Sequence, residues 1–572
     1  MTSVVTAGGI SVTMRGAVVE AGETVLERLV SDGVPAGLRP GASRPGGGCR
    51  AFRLWGPDAA PAAERGLGWL DLPERSKGLL ARLAGIAGEA RGAGLDRLVL
   101  VATGGGATAP EVIGRHAGAD LTVLDGTDPR QAGAVLADGR LARTLVVLSS
   151  RDGSDLVVDA HRRIFEGAFA RAGITGPELA RRFLVVTEPG SPLARLAEES
   201  GHRLVEASPG VPDPYGALDA TGLVPSALAG ADVARLLDEA AALAPALGQP
   251  FDNPALTLGA ALGAVSAASP GRGTGHGALV IADQEAGLGG WAEHLIAESM
   301  GKQGKGPLPV VVEGVEAPGF GAADGACRIM LGDRPGEHGA REDAELGVAG
   351  PLGAQFLLWE YATAVAARVT GVNPFDRPDV RESARNTAAL LRAEEGGAPT
   401  VIGRAPAMVA GAVEVHDPGE LLKGALKGAG SLPAALDELL SSVPDGGYLA
   451  VLAYLDRRGD ADAAGLRSLL AGRGAVVRKN PVPVTFGWGP RYLDTTGQYH
   501  KGGPPNGAFL VITGDAAADI PVPGRPYTLG QLHLAQAFGD LRVLRSLGRP
   551  AVRLHLRDRV DGLAQLAKAL TS

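Results

Sequence analysis

From Leu98 onward, short unbroken apolar runs alternate with longer stretches in which apolar residues recur every third or fourth position. Leu98–Ala102, Leu121–Leu124, Leu145–Leu148 and Phe183–Val186 are four such runs. Each is followed by a polar or glycine-rich turn and then a helix-length segment. Strands apolar at every position have both faces covered, and their alternation with helices predicts a parallel sheet with helices on both sides. This pattern defines a first module over residues 76–235. A second series predicts strands at Ala278–Ala282, Leu308–Val312 and Arg328–Leu331, with helices at Gly289–Met300 and Pro351–Thr370. It defines a second module over 236–395. Residues 396–572 contain strand patterns at Tyr448–Leu455 and Phe509–Thr513 and close on helices at Leu529–Leu547 and Val560–Leu570. This segment is expected to complete the second module. Residues 1–75 read as an N-terminal extension with one amphipathic helix, Val18–Val30, and a Gly/Pro-rich loop, Gly33–Gly48, expected to be mobile. The fold class is therefore α/β, with two doubly wound, flavodoxin-like parallel-sheet modules.

At 572 residues the chain exceeds one hydrophobic core, which agrees with a multi-module reading. Aromatic residues make up 4%, and 63 acidic against 55 basic residues give a net charge of −8. That balance argues against a nucleic-acid partner. The two cysteines, Cys49 and Cys327, stand far apart and offer neither a disulfide framework nor a zinc site. The first twenty residues lack a secretory pattern, and no apolar run reaches membrane-spanning length. A cytoplasmic protein with no membrane partner and no cofactor is expected.

In open parallel sheets, ligands bind beyond the carboxyl ends of the strands, so the turns there are the candidate sites. In Ala102–Glu111, Gly104 and Gly105 allow a ligand close to the backbone, or else solve a packing problem; Pro110 suits the first turn of the following helix. Ser149–Asp155 gathers Ser150, Arg151 and Ser154 at a helix N-terminus, which fits either an anion seat or a cap by Ser154 with Asp155 complementing the dipole. The stiff loop Pro209–Ala217 supplies little chemistry. In the second module, Glu298 lies beside a glycine-broken turn and is a candidate proton-transferring base whose pKa partial burial would set.

Several motifs run collinearly: Leu124–Pro129, Val186–Leu193, Thr221–Pro225, Leu295–Lys302, Trp359–Ala364, Gly371–Asp376 and Gly497–Pro504. Across roughly residues 95–555 they resemble the phosphoglucose (glucose-6-phosphate) isomerase family, in particular the bacterial branch also found fused to transaldolase. The resemblance implies sugar-isomerase (SIS) modules, usually a homodimer, and interconversion of glucose 6-phosphate and fructose 6-phosphate through an enediolate. It implies Glu298 as the base, Lys501 near the ring oxygen and His500 beside it. It places Gln355 where many members carry a ring-opening histidine, and Gln355 cannot shuttle a proton.

The chain departs from the family at the headgroup turns. The family's Ser-Lys-Ser-Gly-Thr-Thr is Ser150-Arg-Asp-Gly-Ser-Asp155 here, its Gly-Gly-Ser-Ser is Gly104-Gly-Gly-Ala107, and Pro214 stands where its catalytic arginine belongs. Three readings follow: a working sugar-phosphate isomerase, a degenerate sugar-binding or scaffolding homologue, and an isomerase for a non-phosphorylated or amino sugar.

Overall fold

The computed structural model describes residues 1–41, 53–267, 277–283, 287–321, 326–332, 344–393, 405–417, 419, 421–422, 424, 430–478 and 481–572. Cys49 and residues 42–48 of the loop Gly33–Gly48 fall outside them, while Val34–Gly37, read as loop, forms a short, largely buried helix.

The described residues form three sheets. The first is five-stranded and wholly parallel, in the order Leu121–Leu124, Arg97–Ala102, Thr144–Ser149, Phe183–Thr187, Arg203–Glu206. Alternate residues of its central strands feed opposite cores. Val99, Val101, Val146 and Leu148 join one apolar cluster, while Leu98, Leu100, Leu145 and Val147 join another. This two-sided burial is the physical cause of the unbroken apolar runs in the sequence.

The second sheet departs from the expected division. Thr2–Ala7 and Ile10–Arg15 form an antiparallel hairpin that pairs with Leu346–Ala349, beyond which lie Cys327–Leu331, Ala278–Ala282 and Leu308–Val312. The N-terminal segment is thus an edge of the second sheet, with Ile10, Val12 and Met14 in its core. The C-terminal segment also differs from expectation, because it carries a third sheet of its own. The hairpin Met408–Ala410 and Val413–His416 is followed across this sheet by Ala551–Leu556, Gly507–Gly514, Tyr448–Tyr454 and Val484–Trp488. Both six-stranded sheets place an antiparallel hairpin beside four parallel strands in the same spatial order.

The helix Leu288–Met300 joins the layers. It packs on Leu352–Thr370 and Gly105–His116, and on the short helix Gly497–Gly502 of the third sheet's unit. Helix Leu352–Thr370 is buried along almost its whole length. It approaches helix Pro254–Ala267 closely: a Cβ on Gly259 or Gly263 would lie 2.7 Å from Val365 or Val369.

Glu293, on Leu288–Met300, accepts a 3.3 Å hydrogen bond from Thr485 of the third sheet. Burial pushes its carboxyl up to about 8, against the ordinary glutamate value of 4.5. The unfolded chain releases this proton above its ordinary value, whereas the folded chain holds it to about pH 8, so folding stability falls as pH rises through that window. Glu293→Gln is expected to flatten this decline, read from urea midpoints at pH 5 and pH 8.

Candidate functional site

A cavity of about 630 Å³ opens at the carboxyl ends of the first sheet's strands. Residues from all three sheet units line it: Thr103 and Arg151 from the first, Glu298 and Arg377 from the second, Asp494 and Gln536 from the third. Carboxylates outnumber guanidinium groups seven to four along its lining, so the empty site carries a negative field.

Glu298 sits in the last turn of helix Leu288–Met300, which packs on the strand Leu308–Val312 and the helix Leu352–Thr370. Its carboxylate is buried, 2.9 Å from His294 Nε2 and 3.3 Å from Arg377 Nε. His294 lies one helical turn earlier and contacts the Thr108 hydroxyl through Nδ1 at 3.2 Å. The neutral tautomer with its proton on Nε2 satisfies both contacts, Thr108 donating to Nδ1 and His294 donating to Glu298. Burial pushes the Glu298 carboxyl up, but Arg377, His294 and Lys302 outweigh it and hold it below the usual glutamate range. Burial alone therefore does not set this pKa; the Arg377 guanidinium overrides it. Glu298 in turn keeps Arg377 firmly protonated.

The loop carrying Arg377 is pinned from beneath. Lys302, only 2% exposed, donates to the carbonyls of Asn373 and Asp376 and lies 3.0 Å from the Asp376 carboxylate. A guanidinium from the segment after Gly371–Asp376 thereby enters the cavity beside Glu298.

The headgroup turns are occupied by the chain's own carboxylates. Asp213 accepts a 2.6 Å hydrogen bond from the Gly105 N–H, at the start of helix Gly105–His116. A Cβ at Gly104 or Gly105 would lie 2.2 Å from Asp213 atoms, so these glycines admit the Asp213 loop. Loop Pro209–Ala217, read as chemically inert, therefore supplies a site carboxylate. Helix Gly105–His116 starts early enough that Pro110 lies within it, not in its first turn.

Asp155, rather than Ser154, caps helix Leu156–Arg171: it accepts from the N–H groups of Val157 and Val158 and from the Thr103 hydroxyl. Ser154 turns to Asp152 instead, at 2.9 Å. The Ser150 N–H is tied to the Val186 carbonyl. Arg151 reaches Asp219 at 2.9 Å and Thr221 at 3.2 Å, with Glu188 and Asp213 at 3.8 and 3.9 Å. Ser150, Arg151 and Ser154 line the cavity, while Gly104 and Gly105 lie behind Asp213.

The C-terminal candidates lie deeper. Lys501 is buried behind the cavity wall with its ammonium 2.7 Å from Asp540, whose carboxylate also takes hydrogen bonds from Ser383 and Tyr492. His500 contacts the Tyr448 hydroxyl at 3.0 Å, and burial and the adjacent Lys501 push its pKa down to about 3. Gln355 is fully buried and donates to the Gly350 carbonyl at 3.0 Å. None of the three lines the cavity. Lys501→Met is expected to destabilise the fold by about 3–5 kcal/mol, because Asp540 is left buried and unpaired; chemical denaturation measures it.

Asp213, His294 and Glu298 have ligand atoms within 4.8 Å of one another, a set that could hold a metal ion. Arg377 already provides positive charge at Glu298. Two side chains that contact Glu298 escaped the sequence reading. His294 was signalled by its four-residue spacing from Glu298; Arg377 had no signal beyond its place after Asp376.

No protein-family model matches the chain. Among curated proteins, it is 33% identical over 242 residues to a probable glucose-6-phosphate isomerase of Natronomonas pharaonis, covering 41% of this chain and 53% of that one. It is 29% identical over 389 residues to a glucose-6-phosphate isomerase of Rubrobacter xylanophilus, covering 57% and 89%. The chain spans about half the length of the first two curated relatives it matches. Among solved structures, a hypothetical protein of Thermus thermophilus superposes with a TM-score of 0.53 at 20% identity, covering 69% of this chain and 100% of that one. A glucose-6-phosphate isomerase of Chlamydia trachomatis gives 0.50 at 16%, covering 70% and 91%. These structural likenesses concern the fold. No described helix is long and apolar enough to cross a membrane.

Proposed function

We propose that this chain, a homologue of curated glucose-6-phosphate isomerases, is an aldose–ketose isomerase that moves a proton between adjacent sugar carbons. The observation that carries this reading is the Glu298 carboxylate, buried in the cavity yet held ionised beside Arg377. A carbon acid needs a desolvated, correctly placed base, and the enediolate it yields needs a fixed positive charge. Glu298 is assigned the first task and Arg377 the second. His294 orients the carboxylate, and Lys302 fixes the loop that presents the guanidinium. The names of the relatives make glucose 6-phosphate and fructose 6-phosphate the first substrate pair to test.

The carboxylates seated at the headgroup turns favour a second reading, in which the sugar carries no phosphate at that end. The resemblance supports a cytoplasmic homodimer, whose assembly sedimentation equilibrium tests. The direct test of function is proton exchange: fructose 6-phosphate incubated with the enzyme in heavy water should gain carbon-bound deuterium and form glucose 6-phosphate, followed by NMR. If fructose 6-phosphate, free fructose and amino sugars all fail to exchange at high enzyme concentration, the isomerase reading is wrong.

A further inference from the structure

The third sheet's unit contributes a carboxyl group to the cavity that the proposed base does not use. Asp494 ends the turn Arg491–Asp494, which closes over the first unit's glycine turn; its carbonyl would lie 3.3 Å from a Cβ on Gly104. Arg491 and Tyr492 of that turn face elsewhere, while Leu493 also lines the cavity. Arg491 is bound to Asp125 and Glu111, and Tyr492 donates to Asp540. Asp494 itself lines the cavity. Among the described residues it has no hydrogen-bond or ion-pair partner, in a site where Asp155, Asp213 and Glu298 are all engaged.

Four charged groups from the elements packed around it act on Asp494: Asp155 from helix Leu156–Arg171, Asp213 from the Pro209–Ala217 loop, Glu298 from helix Leu288–Met300, and Arg377. Burial and the three carboxylates push its pKa up to about 7, with Arg377 opposing them. Glu298 is held ionised in the same cavity. Two carboxyl groups whose surroundings drive their protonation apart are the arrangement that acid–base catalysis requires.

Resting on the isomerase reading, we infer that Asp494 is the second catalytic group, the acid that serves the sugar's oxygens while Glu298 serves its carbons. In the forward direction Glu298 takes the C2 proton, the C1–C2 double bond forms, and the carbonyl π pair on O1 takes the proton of Asp494. In the return half the O2 hydroxyl gives its proton back to Asp494, the C2 carbonyl forms, and Glu298 delivers its proton to C1. Both carboxyl groups end as they began, and no co-reactant is required.

Asp494→Asn is the test, with Asp494→Glu as the conservative partner and thermal melting to confirm folding. The asparagine variant should lose about 10²-fold in kcat with little change in KM. It should also lose the alkaline limb of the kcat–pH profile that wild type shows near neutrality, and the glutamate variant should recover part of both. Unchanged kcat and an unchanged profile in Asp494→Asn, with wild type active, overturn this assignment alone; a wild type inactive on every sugar overturns the isomerase reading instead. Infrared difference spectra read the same group without turnover. Glu293 and Glu360 also contribute protonated-carboxyl absorption at pH 6, so the reading is the wild-type-minus-Asp494→Asn difference, which should retain a protonated-carboxyl band; its absence counts against Asp494.

Discussion

Glu298→Gln is expected to lower kcat for sugar isomerisation by about 10³-fold or more while leaving the melting temperature nearly unchanged. General-base contributions of this kind span about 10²–10⁴ in rate, and the upper part of that range applies because no described carboxylate can substitute in place. Asp213 is bonded to Gly105, Asp155 caps a helix, and Asp494 is driven towards its protonated form by the surrounding acids. The fold should tolerate the change because the single glutamine oxygen can stay with Arg377 while its NH2 donates to His294 Nε2, the imidazole carrying its proton on Nδ1 and donating to the Thr108 hydroxyl instead. The lost Glu298–Arg377 attraction is partly returned, since Arg377 also feels Asp213, Asp494 and Asp152. A coupled assay together with deuterium wash-in measures the effect. If the variant still exchanges carbon-bound protons at the wild-type rate, the base lies elsewhere.

The sheets were legible where burial is two-sided. Leu121–Leu124, Ala278–Ala282 and Leu308–Val312 lie where the apolar runs placed them, because a strand covered on both faces leaves no room for polar alternation. The strands that escaped notice carry polar residues for local reasons. In Ala551–Leu556, Arg553 lies 5.2 Å over the Phe538 ring and His555 bonds Thr513, so the run reads as broken although the strand is largely buried. Thr2–Ala7 is an edge strand with every other residue exposed, and its hairpin partner Ile10–Arg15 joins the sheet through Leu346–Ala349, some 330 residues later. Local pattern holds no record of such pairing.

The same distinction governs the site. Glu298 was legible because its motif and its helix end coincide. Arg377 and Asp494 were not, because each is a single residue brought to the cavity from a different unit, and neither has a local spacing that announces a ligand. The Asp213 loop was misread for a related reason. Its prolines imply rigidity, and only the structure shows that this rigidity delivers a carboxylate to the Gly105 N–H.

That carboxylate leads to the second large expected effect. Asp213→Asn, alone and combined with Asp155→Asn, is expected to tighten binding of a phosphorylated sugar by about tenfold or more, since one such step corresponds to about 1.4 kcal/mol. A helix N-terminus is a natural anion seat through its free N–H groups and its dipole. Here helices Gly105–His116 and Leu156–Arg171 both present their N-termini at the cavity, and both are already satisfied by an aspartate of the chain. Two unit charges of like sign ~5 Å apart repel by about 3 kcal/mol at an effective dielectric of ~20, and a phosphate dianion meets that repulsion from each ionised carboxylate, from Asp155 in smaller measure because burial raises its pKa. Arg151 offsets little of it, because Asp219 at 2.9 Å already claims its guanidinium. Asparagine retains a carbonyl oxygen for the Gly105 N–H, or for those of Val157 and Val158, so the turns keep their geometry while losing their charge. The dissociation constant of 6-phosphogluconate, measured by calorimetry at fixed ionic strength, should fall in each single variant and fall further in the double. A neutral polyol such as sorbitol should bind all three proteins alike. If 6-phosphogluconate binds wild type as tightly as the double variant, the phosphate sits away from both helix N-termini, and the other lining arginines, Arg65, Arg377 and Arg381, become its seat.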